Sequence, residues 1–226
     1  MVDILLVEDN EELGPLLAGF LKKDGYQVFL ADTGEKALTF LETDSAKMVL
    51  LDLMLPGIDG FGVCSAVRKK KTVPILIMSA IVEKEDKIKG FELGADDYIE
   101  KPVDIDILRA KIRATMARTY EMKESNQILT VGDLTVDLEA RRVTCEGTEI
   151  ELSVKEYELL LLFMKNAGKT LDKDYLFNEI WGADSFSENQ TLTVHIKRIR
   201  NKIEKDPKQP THILTVWGVG YKFEKA

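Results

Sequence analysis

Five residues in the first half of the chain have the types and spacing of a charged reaction site: Glu8, Asp9, Asp52, Ser79 and Lys101. Each ends or directly follows a short apolar run, namely Asp3–Val7, Met48–Leu51, Pro74–Ser79 and Asp97–Glu100. In an open parallel sheet such strand ends converge on one crevice, beside the point where strand order reverses. Three acids held together need a cation, and Mg²⁺ suits a site of one or two carboxylates completed by water and phosphate oxygens. A hydroxyl and a lysine beside them fit a phosphoryl group. Asp52 is then the nucleophile, because a carboxylate can form an acyl phosphate, with the metal and Lys101 offsetting charge on the transferred group.

The elements that must position these residues follow from the hydrophobic pattern. The runs named above, with Val28–Ala31, alternate with stretches of helical length, which predicts a flavodoxin-like, doubly wound parallel sheet of five strands over 1–120. In the first helix Leu13, Leu16, Leu17, Phe20 and Leu21 fall on one face, and Gly25 supplies the stop. Asp104 is the candidate cap of the last helix. Glu121–Gln127 is polar, lacks periodicity and reads as a linker.

Over 128–226 the pattern changes to short β segments, Leu129–Val131, Leu134–Asp137, Arg142–Cys145 and Thr148–Leu152. Helices follow: one opened by the capping box Ser153–Glu156, one over Asp172–Trp181, and one opened by a second box, Ser187–Gln190. A closing hairpin surrounds Gly218-Val219-Gly220, giving an α+β winged helix-turn-helix domain. On its last helix Leu192, Ile196, Ile199 and Ile203 form a core stripe. The polar side carries Gln190, Thr191, Thr193, Val194, Lys197, Arg198, Asn201 and Lys205, with Arg200 and Lys202 adding charge, and such a helix fits the DNA major groove. Val194, apolar on this face, is expected to meet a thymine methyl. Gln190 either reads adenine or holds the helix start. His195 and His212 are expected at the surface or partly buried, with no metal.

Composition sets the bounds. The 226 residues are 45% hydrophobic and 31% charged, which excludes disorder and low complexity. The formal charge of −8 divides into 17 Lys and Arg against 23 Asp and Glu up to residue 127, and 14 against 16 beyond it. A nucleic-acid surface must therefore be a local patch. Cys64 and Cys145 show no metal or disulfide spacing. No run approaches the roughly 20 apolar residues of a membrane span and no secretory signal is readable, so a cytoplasmic protein is expected.

Val7-Glu8-Asp9-Asn10, Leu51–Gly57, Ser79-Ala80, Gly94–Tyr98 and Lys101-Pro102 resemble the receiver domain of bacterial response regulators. Thr215–Phe223 resembles the winged-helix output domain of the OmpR/PhoB family, so the resemblance spans essentially the whole chain. It implies that a sensor histidine kinase phosphorylates Asp52. It also implies that Asp9, Asp52 and the Met54 carbonyl hold Mg²⁺, with Glu8 acting through water. Lys101 pairs with the phosphoryl group, its bond to Pro102 is cis, and Ser79 and Tyr98 form a switch pair. Phosphorylated receivers then dimerise, with Asp97 facing the partner's Lys111 and Glu100 facing the partner's Arg118. Lys87 would seek an acid at position 107 but meets Ile107. The winged helix binds promoter DNA and the loop Gly182–Glu188 contacts RNA polymerase. Thr215, Lys222 and Lys225 are candidate phosphate contacts, while Trp217 stands where the family often has a minor-groove arginine.

No enzyme activity is expected beyond the receiver's own phosphotransfer and dephosphorylation. An aspartyl-phosphate phosphohydrolase would want a second acid two residues after the nucleophile, where Met54 stands. A flavin module would want small residues in place of Glu8-Asp9-Asn10. A regulator using its receiver only as a dimerisation scaffold is the closer alternative.

Overall fold

The computed structural model describes residues 1–80, 84–121, 128–182 and 189–225, without the side chains of Glu121, Asn189 and Gln190. The chain divides into two compact units, Met1–Glu121 and Met122–Ala226. Among the described residues no helix is long and apolar enough to cross a membrane.

The first unit runs β1 (Val2–Val7), α1 (Leu13–Lys23), β2 (Val28–Ala31), α2 (Gly34–Thr43), β3 (Ala46–Asp52), α3 (Gly60–Arg68), β4 (Ile75–Ser79), α4 (Lys84–Leu93), β5 (Asp97–Glu100) and α5 (Ile105–Met116). A π-helical turn, Ala117–Glu121, extends α5 into the expected linker, whose remainder lies outside the described residues. All five strands are parallel, in the order β2-β1-β3-β4-β5. Ile4–Val7, Val49–Leu51 and Ile75–Met78 are buried, the unbroken apolar runs expected of strands covered on both faces. Strand order reverses between β1 and β3, which places a crevice at their carboxyl ends.

In α1 the buried face is Gly14, Leu17, Ala18 and Leu21, while Leu16 is 54% exposed and leaves the expected stripe. The physical reason is close approach: a Cβ on Gly14 would lie 3.2 Å from Leu30, so the helix seats on its small residues rather than on Leu16. Gly25 ends the segment at φ +94°. Asp104 caps α5 by accepting from the Asp106 and Ile107 N–H groups.

The second unit begins with an antiparallel meander, β6 (Ile128–Val131), β7 (Leu134–Asp137), β8 (Arg142–Cys145) and β9 (Thr148–Ile150). Then come α6 (Val154–Lys165), β10 (Thr170–Asp172), α7 (Lys173–Trp181), α8 (Asn189–Ile203), β11 (Ile213–Val216) and β12 (Gly220–Phe223). The closing element is a three-stranded sheet, β10-β12-β11, rather than a lone hairpin. Three residues are too few for β10 to show an alternating pattern. The Ser153–Glu156 capping box forms, whereas its counterpart at Ser187–Gln190 lies outside the described residues. Leu192, Ile196, Ile199 and Ile203 of α8 are buried with Leu159, Leu160, Phe163 and Phe223.

Candidate phosphoacceptor site and nucleic-acid interface

The strand ends bring the five predicted residues to one place. Lys101 Nζ donates to Asp52 Oδ2 at 2.5 Å and to the Glu8 carboxylate at 2.8 and 3.0 Å. Carboxylate oxygens of Glu8, Asp9 and Asp52 lie within 4.8 Å of one another, with Glu8 and Asp52 buried and Asp9 exposed. Asp52 Oδ1 accepts the Met54 N–H at 3.0 Å, which orients the carboxylate and draws the β3–α3 loop beneath it. The Lys101–Pro102 bond is cis.

Burial raises the Glu8 carboxyl above its ordinary range, opposed by its bonds from Lys101. Burial alone would lower Lys101, but bonds to Asp52 and Glu8 outweigh it and hold the ammonium above its usual value. Three acids against one lysine leave an excess of negative charge, and the donor set is oxygen only. That set fits a hard divalent cation such as Mg²⁺.

Ser79 is fully buried at the end of β4, and Tyr98 lies beneath the surface on β5, hydrogen-bonded to Ser79. Burial pushes the Tyr98 phenol up to about 12. Lys87 stands 5.7 Å from the Tyr98 ring centroid and pairs with Glu100 at 2.5 Å. Lys111 pairs with Asp97 at 2.6 Å. The pairing of Asp97 with Lys111, expected across a dimer, is thus made within one chain, because α5 lies alongside β5. Glu100 likewise meets Lys87 of its own chain, and Arg118 lies in the π-helical turn.

The pattern missed one determinant of this site. A Cβ on Gly60, the first residue of α3, would lie 2.1 Å from the carbonyl oxygen of Asp52. Only glycine lets that helix start against the end of β3, and a lone glycine after a loop gives no signal of such a contact.

In the second unit α8 presents Thr193, Lys197 and Asn201 to solvent, four residues apart on one face. The rest of the expected reading set is placed differently. Val194 and Thr191 are buried, so Val194 is not presented to the thymine methyl expected for it. The reason is that α8 packs against both α6 and α7, which widens its buried arc beyond the Leu192–Ile203 stripe. Arg198 and Lys202 reach Glu156, and Arg200 donates to the Ile213 carbonyl and to Thr215 Oγ1. The Gln190 side chain lies outside the described residues.

Both histidines are buried more deeply than the surface or partly buried positions expected for them. His195 Nδ1 faces the Thr191 carbonyl at 2.9 Å, with its ring edge-on to Trp181, while His212 lies between Glu204 and Asp133. Trp217 is 90% exposed at the turn between β11 and β12, and Lys222 pairs with Glu224. The loop assigned to RNA polymerase lies outside the described residues apart from Gly182.

An acidic crevice with a lysine at the switch point of one unit and a winged helix in the other define a response regulator that carries its own output domain. Known proteins agree: residues 4–113 match the response regulator receiver domain, and residues 147–223 match the C-terminal domain of transcriptional regulatory proteins. The sensory transduction protein RegX3 of Mycolicibacterium smegmatis is 41% identical, with 99% of this chain and 100% of the relative covered. The transcriptional regulatory protein ResD of Bacillus subtilis is 37% identical, covering 98% and 95%. A crystal structure of the Thermotoga maritima response regulator DrrB, described as an OmpR/PhoB homolog, is 34% identical with 99% of each chain covered and a TM-score of 0.50. The chain belongs to the OmpR/PhoB family of winged-helix response regulators. It is a two-component transcription regulator, with a sensor kinase and DNA as its partners.

Proposed function

We propose that Asp52 is the phosphoacceptor and that its phosphorylation by a sensor histidine kinase switches the protein into a DNA-binding dimer. The observation that carries this reading is Lys101, held between Glu8 and Asp52 where a phosphoryl group on Asp52 would need a cation. An Asp52 carboxylate oxygen attacks phosphorus, and the bond from phosphorus to the donor's histidine nitrogen breaks. Mg²⁺, held by Asp9, Asp52 and the Met54 carbonyl with Glu8 through water, would offset charge on the phosphoryl oxygens when bound. Lys101 exchanges part of its bonding from Asp52 to the new group. Ser79 and Tyr98 then act as the switch pair, the hydroxyl turning to the phosphoryl oxygen; the inward turn of the ring expected from the resemblance is already made, since Tyr98 is buried, and the ring stays there.

The surface formed by α4, β5 and α5 is the dimer face in this reading, carrying Lys87, Asp97, Glu100, Lys111 and Arg118. The Lys111–Asp97 pair is nearly buried and the Lys87–Glu100 pair partly so, and exchange across a dimer must re-form each pair rather than leave a charge unpartnered. On α8, Thr193 and Lys197 face promoter DNA, with Gln190 at the helix start. Trp217 packs against sugar at the wing, Thr215 and Lys222 flank it, and the 182–188 loop meets RNA polymerase. The test is phosphoryl uptake from a small-molecule phosphodonor with Mg²⁺, read by intact mass. Wild type gains one phosphoryl group and Asp52→Asn gains none; equal gain by both proteins refutes the assignment.

A further inference from the structure

The capping carboxylate of α6 also holds the DNA-facing helix. Glu156 is wholly buried and accepts the Ser153 N–H at 2.9 Å as part of the capping box. Two cations of α8 reach the same group: Arg198 Nε lies 2.6 Å from Oε1 and Lys202 Nζ 2.6 Å from Oε2. They stand four residues apart, which puts them one above the other on the helix face turned towards α6. The Arg198 side chain is 15% exposed. Lys202 is 32% exposed and donates a second bond to the Glu151 carbonyl at 2.7 Å. A buried carboxylate keeps its partners, because taking one away leaves charge without solvent or counterion. Arg200, between them in sequence, is likewise occupied by Ile213 and Thr215. Thr193, Lys197 and Asn201 are exposed along a separate stripe, whereas Lys202, though its flank is also exposed, has its ammonium turned to Glu156 and the Glu151 carbonyl.

We infer that Glu156 is the positioning residue of the DNA-facing helix: it draws Arg198 and Lys202 into the fold, so that neither neutralises a phosphate, and it presents the Thr193–Lys197–Asn201 stripe to the groove. This rests on the reading of α8 as the DNA-binding element. It means that the basic charge written along α8 overstates its contacts with DNA. Half of a typical protein–DNA contact set goes to phosphates, and each phosphate neutralised adds about 0.9 to the slope of log affinity against log salt. Cations held by Glu156 add nothing to that slope.

The test uses the full chain and a fluorescent duplex of arbitrary sequence, with affinity measured from about 50 to 200 mM salt. Over that fourfold range one phosphate contact amounts to about a 3.5-fold change in the affinity ratio. Lys197→Gln is expected to lower the slope by about one contact, while Arg198→Gln and Lys202→Gln leave it unchanged. Glu156→Gln keeps an acceptor for the capping box but releases both cations. It is expected to steepen the slope by up to about 1.8, a gain that simple damage to the fold does not produce. An unchanged slope in Glu156→Gln, or a slope lowered in Arg198→Gln as much as in Lys197→Gln, overturns the inference. Failure of the wild type to bind the duplex at any salt concentration overturns instead the DNA reading beneath it.

Discussion

His212 offers the sharpest test of the second unit's energetics. Its Nδ1 lies 3.1 Å from Glu204 and its Nε2 2.7 Å from Asp133, and the side chain is 4% exposed. Neutral imidazole has one N–H and can donate to only one of two carboxylates, so both bonds require the imidazolium. The bond to Glu204 raises the His212 pKa, burial opposes it, and the bond to Asp133 adds to the rise. Glu204 is bound further by the backbone N–H groups of Thr211, His212 and Ile213. Burial would raise its pKa, but these bonds win and hold it down to about 2. The cluster ties the end of α8 to the start of β11 and to the β6–β7 turn. The Glu146 and Glu224 backbone N–H groups donate to the Asp133 and His212 carbonyls, and Lys205 pairs with Glu146 beside them.

A charge-assisted hydrogen bond contributes about 1.5–3 kcal/mol. His212→Gln retains one donor and leaves Glu204 its backbone partners, and Asp133 reaches water, so the loss is about 2 kcal/mol. For a unit of this size that is on the order of 10 °C in Tm. The raised histidine stabilises fully below its ordinary value of 6.5 and loses that contribution as pH rises through the folded pKa. Depressed Glu204 stabilises above 4.5 and fails as pH falls towards about 2. The gap between wild type and variant is therefore widest from about pH 5 to 6.5 and narrows as pH rises through the raised pKa of His212. Thermal unfolding by tryptophan fluorescence reads this directly, because Trp181 and Trp217, the two tryptophans of the chain, both lie in the second unit. Parallel pH profiles for the two proteins would refute the reasoning.

Lys101→Met removes the cation between Glu8 and Asp52 and is expected to slow phosphoryl uptake about 10²-fold, followed on a phosphate-affinity gel. Uptake at the wild-type rate contradicts the role given to Lys101. Val194→Ser places a hydroxyl in a buried site and is expected to cost about 1–3 kcal/mol in urea unfolding. Unchanged stability with lost discrimination at T·A pairs would restore Val194 to the reading face.

The convergence of Glu8, Asp9, Asp52, Ser79 and Lys101 is legible because these residues sit at strand ends, marked by the apolar runs before them. Strand alternation likewise carried the parallel sheet, and the 4-3-4 stripe from Leu192 to Ile203 carried the core side of α8. What a helical wheel does not show is the neighbour. Val194 falls opposite the stripe yet is buried, since α8 has both α6 and α7 against it. Arg198 and Lys202 looked like reading cations because Glu156, 42 and 46 residues earlier, had a complete local explanation as a capping residue. The full burial of His212 is not legible because Asp133, its partner on Nε2, lies 79 residues away in sequence. Leu16 matched the helical period but lost its place to Gly14 and Ala18, whose small size lets α1 approach the sheet.

In the proposed function, phosphoryl chemistry at Asp52 controls the winged helix. The direct measurement is affinity for a promoter duplex with and without a small phosphodonor and Mg²⁺, on wild type and Asp52→Asn, with assembly state followed by sedimentation. Phosphodonor is expected to tighten wild-type binding and shift the protein to a dimer, while Asp52→Asn stays weak and unchanged. Equal affinity in all four conditions would contradict it and make the receiver a constitutive scaffold.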